Sequence, residues 1–143
     1  MKKENNGIII EVISKQIKFK EKLNRRLNFI KGDSGTGKTS IINLLLDKKS
    51  DDVMINTTLP TISVDDTNWK TIMRFEKNKI ILIDDVMFVE THEFELIYKN
   101  TCETNNNYII VTSRDDLHWL DKNICSVYKL ISKTNKYWLE KQD

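Results

Sequence analysis

The sequence predicts one α/β domain built on a mostly parallel β-sheet. Its 143 residues are about the size of a single domain. Short apolar segments typical of buried strands alternate with segments of helical periodicity, which favours parallel strands joined by right-handed crossovers. Polar clusters follow directly after three of the apolar segments, as they do at the carboxyl ends of parallel strands, where ligands bind. The predicted fold is a three-layer α/β core with a β-hairpin at each end of the chain.

Composition argues against several classes of function. Charged residues make up 31% of the chain, but the net charge is only +2, so it indicates neither a nucleic acid nor an anionic membrane as a partner. No apolar run approaches the ~20 residues of a membrane-spanning helix, and no secretory signal is recognisable. We therefore expect a cytoplasmic protein in which Cys102 and Cys125 are reduced and act as small buried hydrophobes.

The first segments predict a hairpin followed by a core strand. Residues 8–13 are rich in isoleucine and residues 17–20 alternate, so they are expected to pair through a turn near Ser14 and Lys15. Residues 27–31 form the first core strand. The expected division of the chain is a hairpin extension over residues 1–26, a core over residues 27–131 and a C-terminal strand over residues 132–143.

Later strands and helices follow from the same patterns. Further strands are predicted at residues 53–55, 61–64, 80–85, 108–112, 125–131 and 137–139, and a helix at residues 40–47. A second helix, capped by Asp66 or Thr67, is expected to contain Trp69, Ile72, Met73 and Phe75, apolar residues that fall at helical spacing. A third, over residues 93–102, is expected to bury Phe94, Ile97 and Tyr98. Both hairpins are expected to offer strand edges to a partner.

Residues 32–39 carry the most specific motif in the chain. They read Gly-Asp-Ser-Gly-Thr-Gly-Lys-Thr, which fills every fixed position of the phosphate-binding pattern G-x-x-x-x-G-K-[ST]. The glycines let successive N–H groups point at phosphate oxygens, and the following helix adds the positive end of its dipole. The predicted nucleotide-binding residues are Gly32, Asp33, Ser34, Gly35, Thr36, Gly37, Lys38, Thr39, Ser40 and Ser113.

Two acids follow the apolar strand at residues 80–83. Mg²⁺ prefers oxygen ligands, so we expect Asp84 to hold it together with the Thr39 hydroxyl. Asp85 is a candidate for orienting or deprotonating an attacking water. Glu90 and Glu93 are alternatives for that role, although both also suit the start of a helix, where acids are stabilised by the dipole.

A third cluster follows residues 108–112. There Ser113 offers a hydroxyl to a phosphate or a water, and Arg114 offers charge that neutralises the phosphates during transfer. With Lys38 and Asp85, Arg114 completes the predicted catalytic set. A surface turn with a salt bridge to Asp115 or Asp116 remains the alternative for this segment.

These three segments resemble the Walker A, Walker B and sensor elements of P-loop NTPases. The segment before Asp84 is long enough for an extra strand, which is similar to the division that inserts a strand between the two Walker strands. Residues 81–86 and 110–115 are most similar to AAA+ and STAND-type ATPases. The resemblance implies phosphate contacts at Lys38, Mg²⁺ at Thr39 and Asp84, and γ-phosphate sensing near Arg114. Relatives carry a helical lid and usually a catalytic Glu, whereas we expect a minimal, lidless core with Asp85 instead.

The sequence therefore predicts an Mg²⁺-dependent protein that binds ATP or ADP and hydrolyses ATP slowly. A non-enzymatic nucleotide-binding module that regulates or binds a partner protein stays open, as does a small-molecule kinase. No Asn-Lys-x-Asp signature is present, so guanine specificity is not expected. A protein partner or a homo-oligomer is left open, and neither nucleic acid nor membrane is indicated.

Overall fold

The computed structural model describes residues 7–14, 18–31, 54–84, 91–112, 125–133 and 136–142. These residues contain a nine-stranded sheet and two helices on one of its faces. The strands are β1 (Ile8–Ile13), β2 (Lys18–Leu23), β3 (Leu27–Lys31), β4 (Met54–Thr57), β5 (Thr61–Val64), β6 (Ile80–Asp84), β7 (Asn107–Thr112), β8 (Cys125–Lys133) and β9 (Lys136–Gln142). The helices are α1 (Trp69–Phe75) and α2 (Phe94–Thr104), and a short 3₁₀ turn at Thr91–Glu93 leads into α2.

The sheet has the order β4-β1-β2-β9-β8-β3-β7-β6-β5. The strands from β8 to β5 in this order are parallel to one another, while β8 and β9 form an antiparallel hairpin. At the other end of the sheet, β4, β1 and β2 form an antiparallel ribbon. The α/β class, the mostly parallel sheet and the two hairpins are therefore confirmed.

The ribbon joins the parallel strands where β2 lies beside β9. Within the described ranges, the ladder pair between these two strands is Lys18 with Lys136. Further along, the carboxylate of Glu21 accepts a hydrogen bond of 2.8 Å from the backbone N–H of Leu139. Since β1, β2, β8 and β9 each have a neighbouring strand on both sides, neither hairpin lies at an end of the described sheet. The end strands of the sheet are β4 and β5.

The parallel strands are buried on both faces. On the face we call the helical face, Ile81, Ile83 and Ile110 pack in one cluster with Trp69 of α1 and Ile97 of α2. On the opposite face, the ribbon face, apolar residues of β3, β6, β7 and β8 share a second cluster with residues of β1 and β2. This double burial explains why β6 and β7 are continuous apolar runs rather than alternating ones.

Helix α1 differs from its prediction at its start. Its N-cap is Asn68, which makes no side-chain capping hydrogen bond. In the turn before the helix, Oδ1 of Asp65 accepts the N–H groups of Thr67 and Asn68. The hydrogen bond from the Thr67 hydroxyl is the largest cause that lowers the pKa of Asp65. Phe75 is 72% exposed, not inward, because six residues turn a helix by 600°, which leaves it about 120° from buried Trp69.

Helix α2 follows its prediction more closely. Phe94 and Ile97 are buried, while Tyr98 is 37% exposed at the flank of the helix. The helix ends at Asn105, which adopts the left-handed conformation with φ of 60°. The expectation of two buried cysteines is correct for Cys125 and wrong for Cys102, which is exposed on α2.

A buried amide joins four segments at the amino edge of the parallel strands. Asn106 is completely buried, and its Oδ1 accepts the backbone N–H of Lys79 at 3.0 Å. Its Nδ2 donates to the carbonyl of Glu76 at 2.9 Å and to Oδ1 of Asn100 at 3.0 Å. The same Asn100 oxygen accepts the hydroxyl of Tyr108 at 2.7 Å. Burial raises the pKa of Tyr108, so the hydroxyl stays protonated and can donate this bond.

Gly7 is the glycine whose conformation the fold requires most clearly in the described part of the chain. Its φ is +69°, and a Cβ added there would overlap the carbonyl oxygen of Leu23. We expect Gly7→Ala to lower the free energy of unfolding by about 2 kcal/mol, measured by urea denaturation. Asn78→Gly is the control, because Asn78 has a φ of 56° that glycine adopts without strain. Equal midpoints for Gly7→Ala and wild type would contradict the prediction.

Candidate functional site

Most predicted site residues lie outside the described residues. This holds for residues 32–40, with Lys38 and Thr39 among them, and for Asp85, Ser113 and Arg114. Asp84 is described through its backbone, as the last residue of β6. The described part of the candidate site is therefore the three strands that lead into these segments.

The strands that precede the three polar clusters lie side by side and run in the same direction. Lys31, at the end of β3, pairs with Thr112, at the end of β7. Asp84, at the end of β6, pairs with Val111. Neighbouring strands are about 4.8 Å apart, so β3 and β6 are separated by about 10 Å. As predicted, the three strands end at one edge of the sheet and within one residue of the same level.

The sequence predicted that an extra strand in the segment before Asp84 would lie between β3 and β6, but the strand found there comes from a different part of the chain. That segment, between the motif and Asp84, supplies β4 and β5, which lie at the two ends of the sheet. The intervening strand is β7, which follows β6 in the chain. Sequence length alone indicated extra strands but not their order, because order depends on pairings between distant segments.

Charges are separated along this carboxyl edge. Lys31 and Lys129 occupy the same level on the adjacent strands β3 and β8, and Lys129 is exposed. On the far side, Asp65 and Asp66 follow β5, next to the end of β6, which carries Asp84. The edge is thus basic where the glycine motif begins and acidic where a divalent cation is expected. Between them, the Thr112 side chain is 1% exposed.

Lys31 and Lys129 are the residues that sequence reasoning missed as candidates. Neither belongs to a motif, and they lie far apart in the chain. Each lysine is the fifth residue of its strand, counted from Leu27 in β3 and from Cys125 in β8, and these two first residues are paired. The sequence does not show that β3 pairs with β8, so it could not show that the two lysines are neighbours.

A cleft of about 240 Å³ lies at the same edge, beside the end of β5. It is lined by Asp66, Thr67, Trp69, Lys70 and Glu93. The ammonium group of Lys70 is 2.7 Å from Oε2 of Glu93 and 5.4 Å from the centre of the Trp69 ring. Glu93 therefore links α1 to the start of α2, and this ion pair weakens the alternative that it acts as a general base.

Tryptophan, arginine and histidine side chains outside the three polar clusters lie in structural or exposed positions. Trp69 is buried in the core, and Trp138 is half-buried on β9. The guanidinium group of Arg26 donates a hydrogen bond of 2.7 Å to the carbonyl of Thr101, which links α2 to the start of β3. His92 is exposed.

Comparisons with known proteins give a likeness of fold. No protein-family model matches the sequence, and no curated protein matches it. Among solved structures, a chain of a protein assigned as a metal-chelate type ABC transporter, in an inward-facing conformation, is similar with a TM-score of 0.54. The sequences are 12% identical, and the match covers 96% of this chain and 84% of that chain. Among the described helices, none has the length and apolar character to cross a membrane. At this identity the likeness establishes a shared fold and leaves activity to be argued from the site.

Proposed function

We propose that this protein is an Mg²⁺-dependent ATP-binding protein of the P-loop NTPase type and a slow ATPase. One observation carries the proposal. The strand before the glycine motif lies in the middle of parallel neighbours, and the strand before the two acids ends at the same edge two positions away. A strand, a glycine motif and adjoining strand ends with acids and hydroxyls are the parts that phosphoryl transfer requires.

The proposed roles follow from the chemistry of the side chains. Lys38 and the backbone N–H groups of residues 32–39 hold the β- and γ-phosphates. The donor set of Thr39 and Asp84, a hydroxyl and a carboxylate, suits Mg²⁺, which prefers oxygen. When bound, the ion neutralises charge that develops on the phosphates. Asp85 orients the attacking water, and Arg114 stabilises the phosphate charge from the side of β7.

The proposal extends to ligand and location. ATP is favoured over GTP because the guanine signature is missing from the sequence. A cytoplasmic location is proposed from the nucleotide site. The competing functions are a nucleotide-binding module read by a partner protein and a small-molecule kinase.

Asp84→Asn tests the proposed metal role. We expect wild type to bind Mg-ATP in calorimetry and to release phosphate, and the variant to release it about 100-fold more slowly because a neutral amide holds Mg²⁺ poorly. The matched control is Asp66→Asn, which removes an exposed acid at the same edge.

The outcomes separate the candidate functions. Tight binding of Mg-ATP without phosphate release by wild type supports the module. Consumption of ATP that requires an added small metabolite supports the kinase. An Asp84→Asn rate equal to that of Asp66→Asn contradicts the metal role, and a wild type that binds no nucleotide overturns the whole proposal.

A further inference from the structure

The β8–β9 hairpin continues beyond the carboxyl edge of the parallel strands. Lys129 of β8 is level with Lys31, the last residue of β3, but β8 runs on to Lys133. Four further residues extend the strand by about 13 Å. The hairpin therefore projects past the end of β3, the point after which the glycine motif begins in the sequence.

Lys129 lies where the projecting part of the hairpin begins, on the same face of the sheet as Lys31. Phe29 and Val127 are paired and both belong to the cluster of the helical face. Side chains two residues apart in a strand share a face, so Lys31 and Lys129 are also on the helical face. On the other side of Lys31, the same level is occupied by Thr112. Across β7, β3 and β8, the residues at this level are therefore the buried Thr112, Lys31 and Lys129.

The two lysines lie at the same level of adjacent parallel strands. Like charges at such short range repel each other. Glu140 is the residue of β9 that pairs with Lys129. Among the ion pairs of the described residues, however, none joins these two side chains. Lys31 has another interaction within the chain. The exposed Lys129 belongs to none of these ion pairs, so an anion beside Lys129 would offset the repulsion between the two lysines.

We propose that Lys129 contacts the phosphates of the bound nucleotide and so adds a second cation to the one that the glycine motif supplies. The inference rests on the proposed function and adds a residue from outside the motif. A phosphate chain is the fitting anion because the motif that binds it starts at the residue after Lys31. Lysine suits this position because its ammonium group is a point charge on a flexible stem that reaches a phosphate without fixed geometry.

Nucleotide affinity measured by calorimetry tests the role of Lys129. We expect Lys129→Ala to raise the Kd of Mg-ATP about threefold to fivefold, the range of an exposed ion pair. The effect should be smaller for AMP, which lacks the β- and γ-phosphates, and it should shrink as salt screens the charges. Lys129→Arg should restore most of the affinity. Lys22→Ala, at an exposed lysine of β2, is the matched control.

The results distinguish this inference from the proposal on which it rests. If wild type binds Mg-ATP and Lys38→Ala does not, but Lys129→Ala binds like wild type, the role of Lys129 is overturned and the proposed function stands. An equal loss in Lys22→Ala and Lys129→Ala points to a diffuse field and also overturns it. If wild type binds no nucleotide, both fail. Thermal melting of each variant verifies that it is folded.

Discussion

Replacing Lys38 with alanine is expected to abolish Mg-ATP binding at millimolar nucleotide and phosphate release with it. The lysine is the one side-chain cation inside the glycine motif, and a P-loop lysine pairs with the β- and γ-phosphates. In a preorganised site, losing such a group costs on the order of 100-fold in rate. Calorimetry and a phosphate-release assay on the same preparations measure both effects.

The variants chosen for comparison isolate the motif from general charge effects. Lys99→Ala removes an exposed lysine of α2 and should bind Mg-ATP as wild type does. Lys38→Arg keeps the charge but changes its shape, and it should also fail, because guanidinium and ammonium are not interchangeable at a fitted site. Normal binding and turnover by Lys38→Ala would contradict the assignment of residues 32–39 as a phosphate loop.

Replacing Asn106 with alanine is expected to cause the largest loss of stability in the described part of the fold. The side chain is completely buried and satisfies the N–H of Lys79, the carbonyl of Glu76 and the side chain of Asn100. Its removal leaves these groups without those bonds in a site that excludes water, which costs about 3 kcal/mol or more. Urea denaturation measures the change in the free energy of unfolding.

Asn105→Gly is the matched control for Asn106. The neighbouring residue is exposed and has a φ of 60°, which glycine adopts readily, so this variant should be near wild type. Hydrogen exchange at the Lys79 amide gives a local readout, and Asn106→Ala should accelerate it. Unchanged exchange at that amide, together with a loss of stability no greater than that of the control, would show that the network contributes little.

The fold was predictable where the sequence pattern is local. The uninterrupted apolar run at residues 80–83 indicated a strand buried on both sides, and the isoleucine-rich segment at residues 8–13 indicated a strand of a hairpin. Pairing between distant segments was not predictable in the same way. Nothing in the sequence shows that β9 lies beside β2, with Lys18 paired to Lys136, or that the Glu21 carboxylate accepts a hydrogen bond from the backbone of Leu139.

Helix ends failed for a different reason. Asp66 and Thr67 are good capping residue types, but the N-cap is Asn68, and Asp65 uses its carboxylate to close the turn before the helix. Phe75 is apolar yet lies on the outer side of α1, since apolarity does not fix the face on which a helical residue stands.

The candidate site divides along the same line. The glycine motif, the pair of acids and the Ser-Arg pair are each a short continuous stretch of sequence, so each could be recognised from the sequence alone. That the strands before them end at one edge followed from the rules of parallel sheets. The pair of lysines could not be predicted in this way, because Lys31 and Lys129 become neighbours only through the pairing of β3 with β8. The roles of Lys38, Thr39, Asp85, Ser113 and Arg114 stay predictions.

The position of β3 in the sheet has a consequence for how the protein is made. Both neighbours of this strand, β7 and β8, come from the second half of the chain. A ribosome that has delivered β3 and the glycine motif must therefore continue at least to β7 before that strand has a partner on either side. Pairing over such separations is slow, because long loops must close before their contacts form. The glycine motif would thus gain the support of both neighbouring strands only after β8 has been made, so the proposed nucleotide binding requires a nascent chain that extends at least that far.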